Sequence, residues 1–340
     1  MNSLYPRPTF SVIIGCYNHR KFIEETVNSV RAQSYPALQI IVVDDNSPDD
    51  SISVIRTLGP DVTIVASEVN RGGSSARNSG AAGAKGDYLI FLDGDDSLTP
   101  WALEAYATIV SREKPSIILA SMFFFSGSTV QESALFFNGS EPIHNYDGFS
   151  KEIIALRYST LARKDRKFRS SGSSIVFSRQ AFKNCGGWTS DIFPGEDTDI
   201  QLKLLSTGPV FHVLSPPTAY YRVHADNTMK QVARFIAGLN KVVARAKGNY
   251  YYRYGSEWID VYSLLGGEVL FWCKSAFKAR QPLLATKLFA KGLPIIFVAA
   301  ARRALKIIRG RLTPIRFPPV RVVSENVQSF SNRREQPSNF

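Results

Sequence analysis

The stretch Asp87-Tyr-Leu-Ile-Phe-Leu-Asp-Gly-Asp-Asp-Ser constrains this chain more than any other, because it drives an apolar run of strand length into three carboxylates around one glycine. Tyr88 to Leu92 is short, aromatic and aliphatic and follows Lys85-Gly86-Asp87, the pattern of a buried central strand in a parallel sheet. Asp93 and Asp95 then leave the sheet at its carboxyl edge, where open α/β sheets place their ligands. Acids packed this closely repel one another unless a cation compensates. Carboxylate oxygens with open positions suit a hard divalent ion, Mg2+ or Mn2+, held jointly with substrate phosphates. The plainer use is capping: Asp96 or Ser97, ahead of Pro100-Trp101-Ala102-Leu103, would satisfy free N–H groups at a helix start. Both uses fit together, with Asp96 or Ser97 as the cap and Asp93 and Asp95 left for chemistry. A calcium loop between two helices is opposed by Leu98, which stands where that loop turns on glycine.

The same arrangement occurs earlier. Residues 9–15 form a first strand, Tyr17-Asn18-His19 the loop after it, and residues 20–33 a helix with Phe22, Ile23, Val27 and Val30 on one side. A second strand, residues 38–43, ends in Asp44-Asp45-Asn46-Ser47; Asp45 alone reads as a cap for a helix over 49–58, but two acidic strand ends in one sheet point to a shared ligand site. A third strand, residues 62–66, leads into Asn70 to Ala84, a helix of small residues opened by glycines that can lie close to the sheet. That segment is neither a dinucleotide fingerprint nor a phosphate loop, since it lacks Gly-x-Gly-x-x-Gly and the lysine. Arg77, in an otherwise uncharged turn beside carboxylates, is a candidate for binding a diphosphate with both arms. A helix over 101–112 and a strand over 116–125 complete a β-α-β-α alternation and predict a doubly wound sheet. Segment 126–170 has a weaker pattern, and 172–178 is a further strand. Beyond it a glycine-flanked loop presents Glu196 and Asp197 at the mouth of a helix with Ile200, Leu204 and Leu205 buried, with Asp199 left to serve the helix dipole. Residues 220–224 read as a strand ending in His224, a plausible third ligand for Mn2+.

Charge separates the last third from the rest. Residues 230–340 hold 20 Lys and Arg against 5 Asp and Glu, while residues 1–229 hold 21 against 24. Such a basic stretch attracts nucleic acid or an anionic membrane surface; with no nucleic-acid motif beside it, the membrane surface is the expected partner and nucleic acid is not. Beyond Met229 the pattern is helical. In Lys287 to Arg311 about ten apolar residues precede a basic run, too few to span a bilayer but suited to lying in its interface, or to serving as a core helix with a basic outer face. From Thr313 on, prolines and charges without period predict an extended or disordered tail. The three cysteines have no metal-ligand spacing and the N-terminus no signal pattern, so a reducing, cytoplasmic setting is expected, peripheral on the inner face of the cell membrane.

Taken together these stretches resemble the family 2 glycosyltransferases, whose nucleotide-sugar-binding fold is called GT-A. The matching motifs are Ser11 to Asn18, Ile41 to Ser47, Asn70 to Gly80, the Asp93-Gly94-Asp95 DxD signature, Gly195-Glu196-Asp197 and Tyr221 to His224. The resemblance implies an α/β domain over 1–229 with a mixed, mainly parallel sheet and flanking helices, to which the residue pattern and charge add a helical basic extension over 230–312 and a tail over 313–340. It further implies a metal-dependent, inverting transfer of a hexosyl or N-acetylhexosaminyl group from a nucleoside diphosphate sugar to a hydroxyl acceptor. The expected membrane attachment points to a saccharide or lipid-linked saccharide as that acceptor, in polysaccharide or surface-glycan assembly. By position, Gly15, Tyr17 and Asp45 would hold the nucleobase, with Gly15 in place of the commoner hydroxyl residue. Arg77 would hold the base or diphosphate, Asp93 the ribose or metal, Asp95 the metal with His224 as a second ligand, and Asp197 would be the general base, with Glu196 as the alternative. Trp188 and segment 126–170 would face the acceptor. The rival readings are a sugar nucleotidyltransferase, which would carry a glycine-rich basic loop in place of Cys16-Tyr17-Asn18-His19, and a non-catalytic nucleotide-sugar-binding protein with a membrane-binding tail.

Overall fold

The computed structural model describes residues 7–130, 135–136, 152–163, 172–224, 227, 230–307 and 314–320. Most of the acceptor-facing segment, Arg309, Arg311 and the end of the tail lie outside the described residues. The chain opens in the expected alternation: β1 (Phe10–Cys16), α1 (Ile23–Arg31), β2 (Gln39–Asp44), α2 (Ser51–Thr57), β3 (Val62–Ala66), α3 (Gly73–Ala82), β4 (Tyr88–Asp93) and, after the short β5 (Ser97–Leu98), α4 (Ala102–Glu113). Strands β1, β2 and β4 are continuous apolar runs because helices cover both faces of the sheet. The small-residue helix does approach closely. A Cβ on Gly80 would stand 2.4 Å from the Ile13 side chain and 2.9 Å from that of Val43, so α3 could not lie against β1 and β2 with any larger residue there.

The rest of the chain adds β6 (Ile117–Ala120), β7 (Met122–Phe125), β8 (Leu135–Phe136), β9 (Ile153–Tyr158), β10 (Ile175–Ser178), α5 (Arg179–Asn184), α6 (Glu196–Lys203), β11 (Val210–Ser215), β12 (Ala219–Arg222), α7 (Val232–Lys247), α8 (Trp258–Lys278), α9 (Pro282–Ile307) and β13 (Ile315–Phe317). Among the described residues, nine strands form one sheet in the order β13-β9-β11-β6-β10-β4-β1-β2-β3. Seven point the same way, with β9 and β10 reversed, so the sheet is mixed and mainly parallel. A smaller sheet, β5-β12-β7-β8, stands beside its carboxyl edge.

Three expectations are corrected. The strand expected over 116–125 is two strands in two sheets: Ser121 donates to the Val213 carbonyl from both its N–H and its hydroxyl and accepts from the Thr218 N–H, which turns the chain from one sheet to the other. The tail after Thr313 is not wholly without structure, because β13 adds to the sheet beside β9. Finally, α9 contains a 21-residue stretch, Pro282–Arg302, long and apolar enough to cross a membrane by length and composition. An uninterrupted apolar run was the wrong criterion, since Lys287 and Lys291 break the run without making the helix polar.

The basic extension packs on the sheet domain. Ile192, Leu202 and Leu205, which flank or belong to α6, share one core with residues of α7, α8 and α9. At Gly238 of α7 a Cβ would sit 1.7 Å from the Pro194 carbonyl oxygen, so α7 touches the backbone that leads into Glu196. Asp199 lies in the first turn of α6, as the dipole reading expects, but it does more than that. It is fully buried, accepts hydrogen bonds from Thr189 Oγ1 (2.5 Å) and the Tyr251 hydroxyl (2.6 Å), and lies 3.6 Å from Lys203 Nζ and 3.4 Å from Arg245 Nη1. Two of these four partners come from the extension.

Candidate active site

The acidic strand ends meet. β4 lies beside β1, so Asp93 is in register with Gly15, and the Gly94 N–H donates to the Gly15 carbonyl (2.9 Å). A Cβ on Gly94 would lie 2.7 Å from His19 Nδ1, which is why the middle residue of the signature carries no side chain. From α3, Arg77 reaches across this edge. It donates to Asp93 Oδ1 (2.6 Å) with one arm and to Glu196 Oε1 (3.1 Å) with the other, and its guanidinium lies 5.1 Å from the centre of the Trp188 ring. Asp197 Oδ2 accepts from the Gly172 N–H (3.2 Å), while its Oδ1 is buried and has no hydrogen-bond partner among the described residues. Carboxylates from β4 and α6, 103 residues apart in sequence, thus share one arginine.

Asp95 is flanked by two imidazoles, His224 Nε2 at 2.9 Å and His19 Nε2 at 3.8 Å. Asp96, expected with Ser97 to cap α4, instead accepts from Ser173 Oγ (2.7 Å) and from the Arg222 N–H (3.0 Å), and is buried. No side chain caps α4 among the described residues, and the Ser97 hydroxyl is buried without a partner there. Asp45, at the end of β2, is no cap for α2 either: it accepts from the backbone N–H groups of Arg71 (2.9 Å) and Gly72 (2.7 Å) and so shapes the entry to α3. Gly15 opens onto empty space at the same edge, and Tyr17 stands 42% exposed at its rim. Trp188 is 2% exposed and packs against Phe91 and Phe177, so it supports Arg77 from below and does not face an acceptor cleft.

The concentration of negative charge perturbs these groups. Burial, reinforced by the charge of Glu196 and only partly offset by Arg77, pushes Asp197 up to about 7. Glu196 is also raised, by burial, against the pull of Arg77. Asp96 is raised well above the carboxylate range by burial and by Asp95 and Asp93. Burial acts on Asp95 too, but the hydrogen bond from His224 and the nearness of His19 outweigh it and hold this carboxyl below its usual range. Tyr221 is raised by burial and by the four acids Asp96, Asp93, Asp95 and Asp197, which places it beside the same cluster. Ligand oxygens of Asp93, Asp95 and Asp96 all lie within 4.8 Å of one another. Since both Asp96 oxygens hold protein donors, Asp93 and Asp95 are the residues fitted to a divalent cation, with the His224 nitrogen at hand. Oxygen donors of this kind match Mg2+ or Mn2+.

Sequence reasoning overlooked His19, Ser173 and Arg222. The first was legible as a polar residue just past an apolar strand end. The other two act on Asp96, whose position depends on where residues 173 and 222 arrive in space, and no local signal reports that.

A sheet with this order, its ligand edge lined by Asp93 and Asp95 and closed by Glu196 and Asp197, has the architecture of a nucleotide-sugar transferase. The model of glycosyl transferase family 2 matches residues 11–186, just over half of the sequence, and the chain belongs to that family. The match ends before Glu196, so the second half of the site rests on the geometry above. Among relatives, the chondroitin synthase of Pasteurella multocida (strain Pm70) is 31% identical over 65% of this chain and 21% of its own length. The UDP-Glc:alpha-D-GlcNAc-diphosphoundecaprenol beta-1,3-glucosyltransferase WfaP of Escherichia coli is 29% identical over 66% of this chain and 82% of its own. The chain spans about a fifth to a third of the length of the chondroitin and hyaluronan synthases it matches. Among solved structures, S. aureus TarS 1-349 in complex with UDP-GlcNAc superposes with a TM-score of 0.53 at 18% identity, covering 87% of this chain and 92% of that one, a likeness of fold.

Proposed function

We propose that the protein is a metal-dependent, inverting glycosyltransferase that moves a sugar from a nucleoside diphosphate sugar to a hydroxyl acceptor. The observation that carries this reading is the Arg77 bridge, which gathers the Asp93–Asp95 side and the Glu196–Asp197 side of the site at one sheet edge. A uridine donor is favoured by the TarS complex with UDP-GlcNAc, and a lipid-linked saccharide acceptor by the substrate in the name of WfaP. Such an acceptor sets the protein at the cytoplasmic face of a membrane, in surface-glycan assembly.

The open edge at Gly15, with Tyr17 and Asp45 beside it, receives the nucleoside. Asp93 and Asp95, with His224, would hold a divalent cation, which would supply positive charge to offset the charge growing on the departing diphosphate. Asp197, whose Oδ1 is held away from every protein donor described, accepts the proton of the attacking hydroxyl; a carboxylate raised to about 7 is matched to that task near neutral pH. Attack from the side opposite the diphosphate inverts the anomeric carbon. Arg77 keeps Glu196 paired, which leaves Asp197 as the base. The test is a panel of UDP-, GDP- and TDP-sugars with Mn2+ or Mg2+, read as release of the nucleoside diphosphate. Turnover of one donor class that stops on chelation supports the proposal, and equal inertness toward every donor in the presence of glycan acceptors counts against it.

A further inference from the structure

Helix α9 has two apolar faces, and the fold uses one. Ala285, Leu288 and Ile295 are buried in the core shared with α8, whereas Leu283, Phe289, Leu293 and Phe297 stand 68, 42, 52 and 74% exposed. On a helix of 3.6 residues per turn these four fall in one stripe, with the exposed Ala290 and Ala300 between them, on the side away from the buried three. An exposed aromatic and aliphatic stripe of this extent marks an interaction surface.

Its chemistry narrows the partner. α9 contains Lys287, Lys291, Arg302, Arg303 and Lys306 and no acidic residue. Lys287 and Lys291 are exposed and border the stripe along one edge. At the turn between α8 and α9 the exposed Lys274, Lys278 and Arg280 surround Phe277, which is 57% exposed. We propose that this hairpin docks in the plane of an anionic lipid bilayer, with the stripe of α9 sunk among the acyl chains and the bordering cations on headgroup phosphates. The proposal does not depend on the transferase reading.

Two other occupants fit less well. A second copy of the chain, paired by two-fold symmetry, would set each basic border near its own equivalent with no carboxylate on α9 to receive it. Spanning would use the length of Pro282–Arg302, but it would carry Lys287 and Lys291 into hydrocarbon and strip α9 from α8. That contact is close: a Cβ on Gly292 would lie 2.6 Å from Val269 Cγ1, and Arg302 pairs with Asp260. Lying in the interface keeps the packed face and covers the exposed one.

The experiment is co-sedimentation of the full chain with vesicles of phosphatidylcholine alone or mixed with phosphatidylglycerol, at low and high salt. The wild type should sediment with the mixed vesicles, more weakly at high salt. The pair Leu293→Glu and Phe297→Glu, both at exposed positions, should lower the partition coefficient at least about tenfold. The pair Lys287→Glu and Lys291→Glu should lower it less and remove much of its salt dependence. Circular dichroism and the thermal midpoint of each variant should match the wild type, which separates lost docking from lost folding. Undiminished vesicle binding by both pairs overturns the proposal. So does a wild-type dimer that Leu293→Glu with Phe297→Glu converts to monomer, which would assign the stripe to a second copy. Protection of the α9 backbone on both sides of sealed vesicles overturns it in favour of spanning.

Discussion

The carboxyl edge of the sheet and the outer face of α9 break the usual distribution of side chains in opposite senses. At the sheet edge, charge is buried: Asp96 and Glu196 are nearly inaccessible, and Arg77, itself buried, joins two of the surrounding acids. On α9, apolar surface is exposed along several turns. Both arrangements cost stability, the first through desolvation and like-charge repulsion and the second through apolar surface left in water. A ligand of the matching kind would relieve each, a cation with a diphosphate in the proposed site and lipid on the proposed docking face. The two regions are joined through Asp199, which takes Tyr251 and Arg245 from the extension while sitting two residues after Asp197. The extension therefore holds the helix that bears the proposed base.

Breaking that joint should have the largest effect. Asp199→Ala leaves the buried Tyr251 hydroxyl and Lys203 without their carboxylate, and loss of one partner from such a buried network costs about 3 kcal/mol. Chemical denaturation should show this as a lower midpoint, with transfer activity falling as the α6 mouth loses its support. A midpoint equal to wild type would mean that the extension and the sheet domain are held together elsewhere.

Next in size is Asp197→Asn. Because the side chain keeps its shape and loses its basicity, kcat should fall roughly 10²-fold or more while donor affinity stays near wild type. If activity survives, Glu196 or another group takes the proton.

The pH dependence is smaller and tests the same group twice. Asp197 must be deprotonated to act, so kcat/KM should fall about tenfold per pH unit on the acid side of an inflection at or below about 7, a bound cation moving it lower. In the metal-free protein the stability effect has the opposite sense. With a folded value of about 7 against 3.8 for the free side chain, Asp197 binds more protons folded than unfolded between those limits. Its contribution is therefore fully present below the lower value and is lost as pH rises through the upper one. Asp197→Asn should accordingly melt higher than wild type at about pH 8 and lose that advantage near pH 4. A difference that does not change with pH would show that Asp197 is not raised.

Much of the sheet edge was legible in the sequence, because strand ends are local features: an apolar run followed by acids fixes both the strand and where the acids emerge. Asp93, Asp95 and Asp45 are read this way, Glu196 and Asp197 from a glycine-flanked loop at a helix mouth, and α1 to α4 mostly by their periodicity or small-residue composition. What failed depended on neighbours distant in sequence. Asp96 and Asp199 have the residue type and position of caps, and only the arrival of Ser173, Arg222, Tyr251 and Arg245 shows that they are buried acceptors. Strand β11 has the aromatic and β-branched composition of a strand and could have been identified, whereas β9 and β13 carry weaker patterns and exist through pairing with each other and with β11. Trp188 was expected to face the acceptor; packing against Phe91 and Phe177 puts it in the core. For α9 the sequence leaves an interfacial helix and a core helix both open for a related reason, since periodicity reports an apolar stripe but not which of two stripes the fold covers.

The most direct measurement is isothermal titration of the protein with a nucleoside diphosphate, with and without Mn2+, on the wild type and on Asp95→Ala. If Asp93 and Asp95 hold the cation that receives the diphosphate, the wild type should bind far more tightly with the ion than without it, and the variant should lose that difference. Cation-dependent binding that survives Asp95→Ala would remove the metal from this edge of the sheet and with it the mechanism built there.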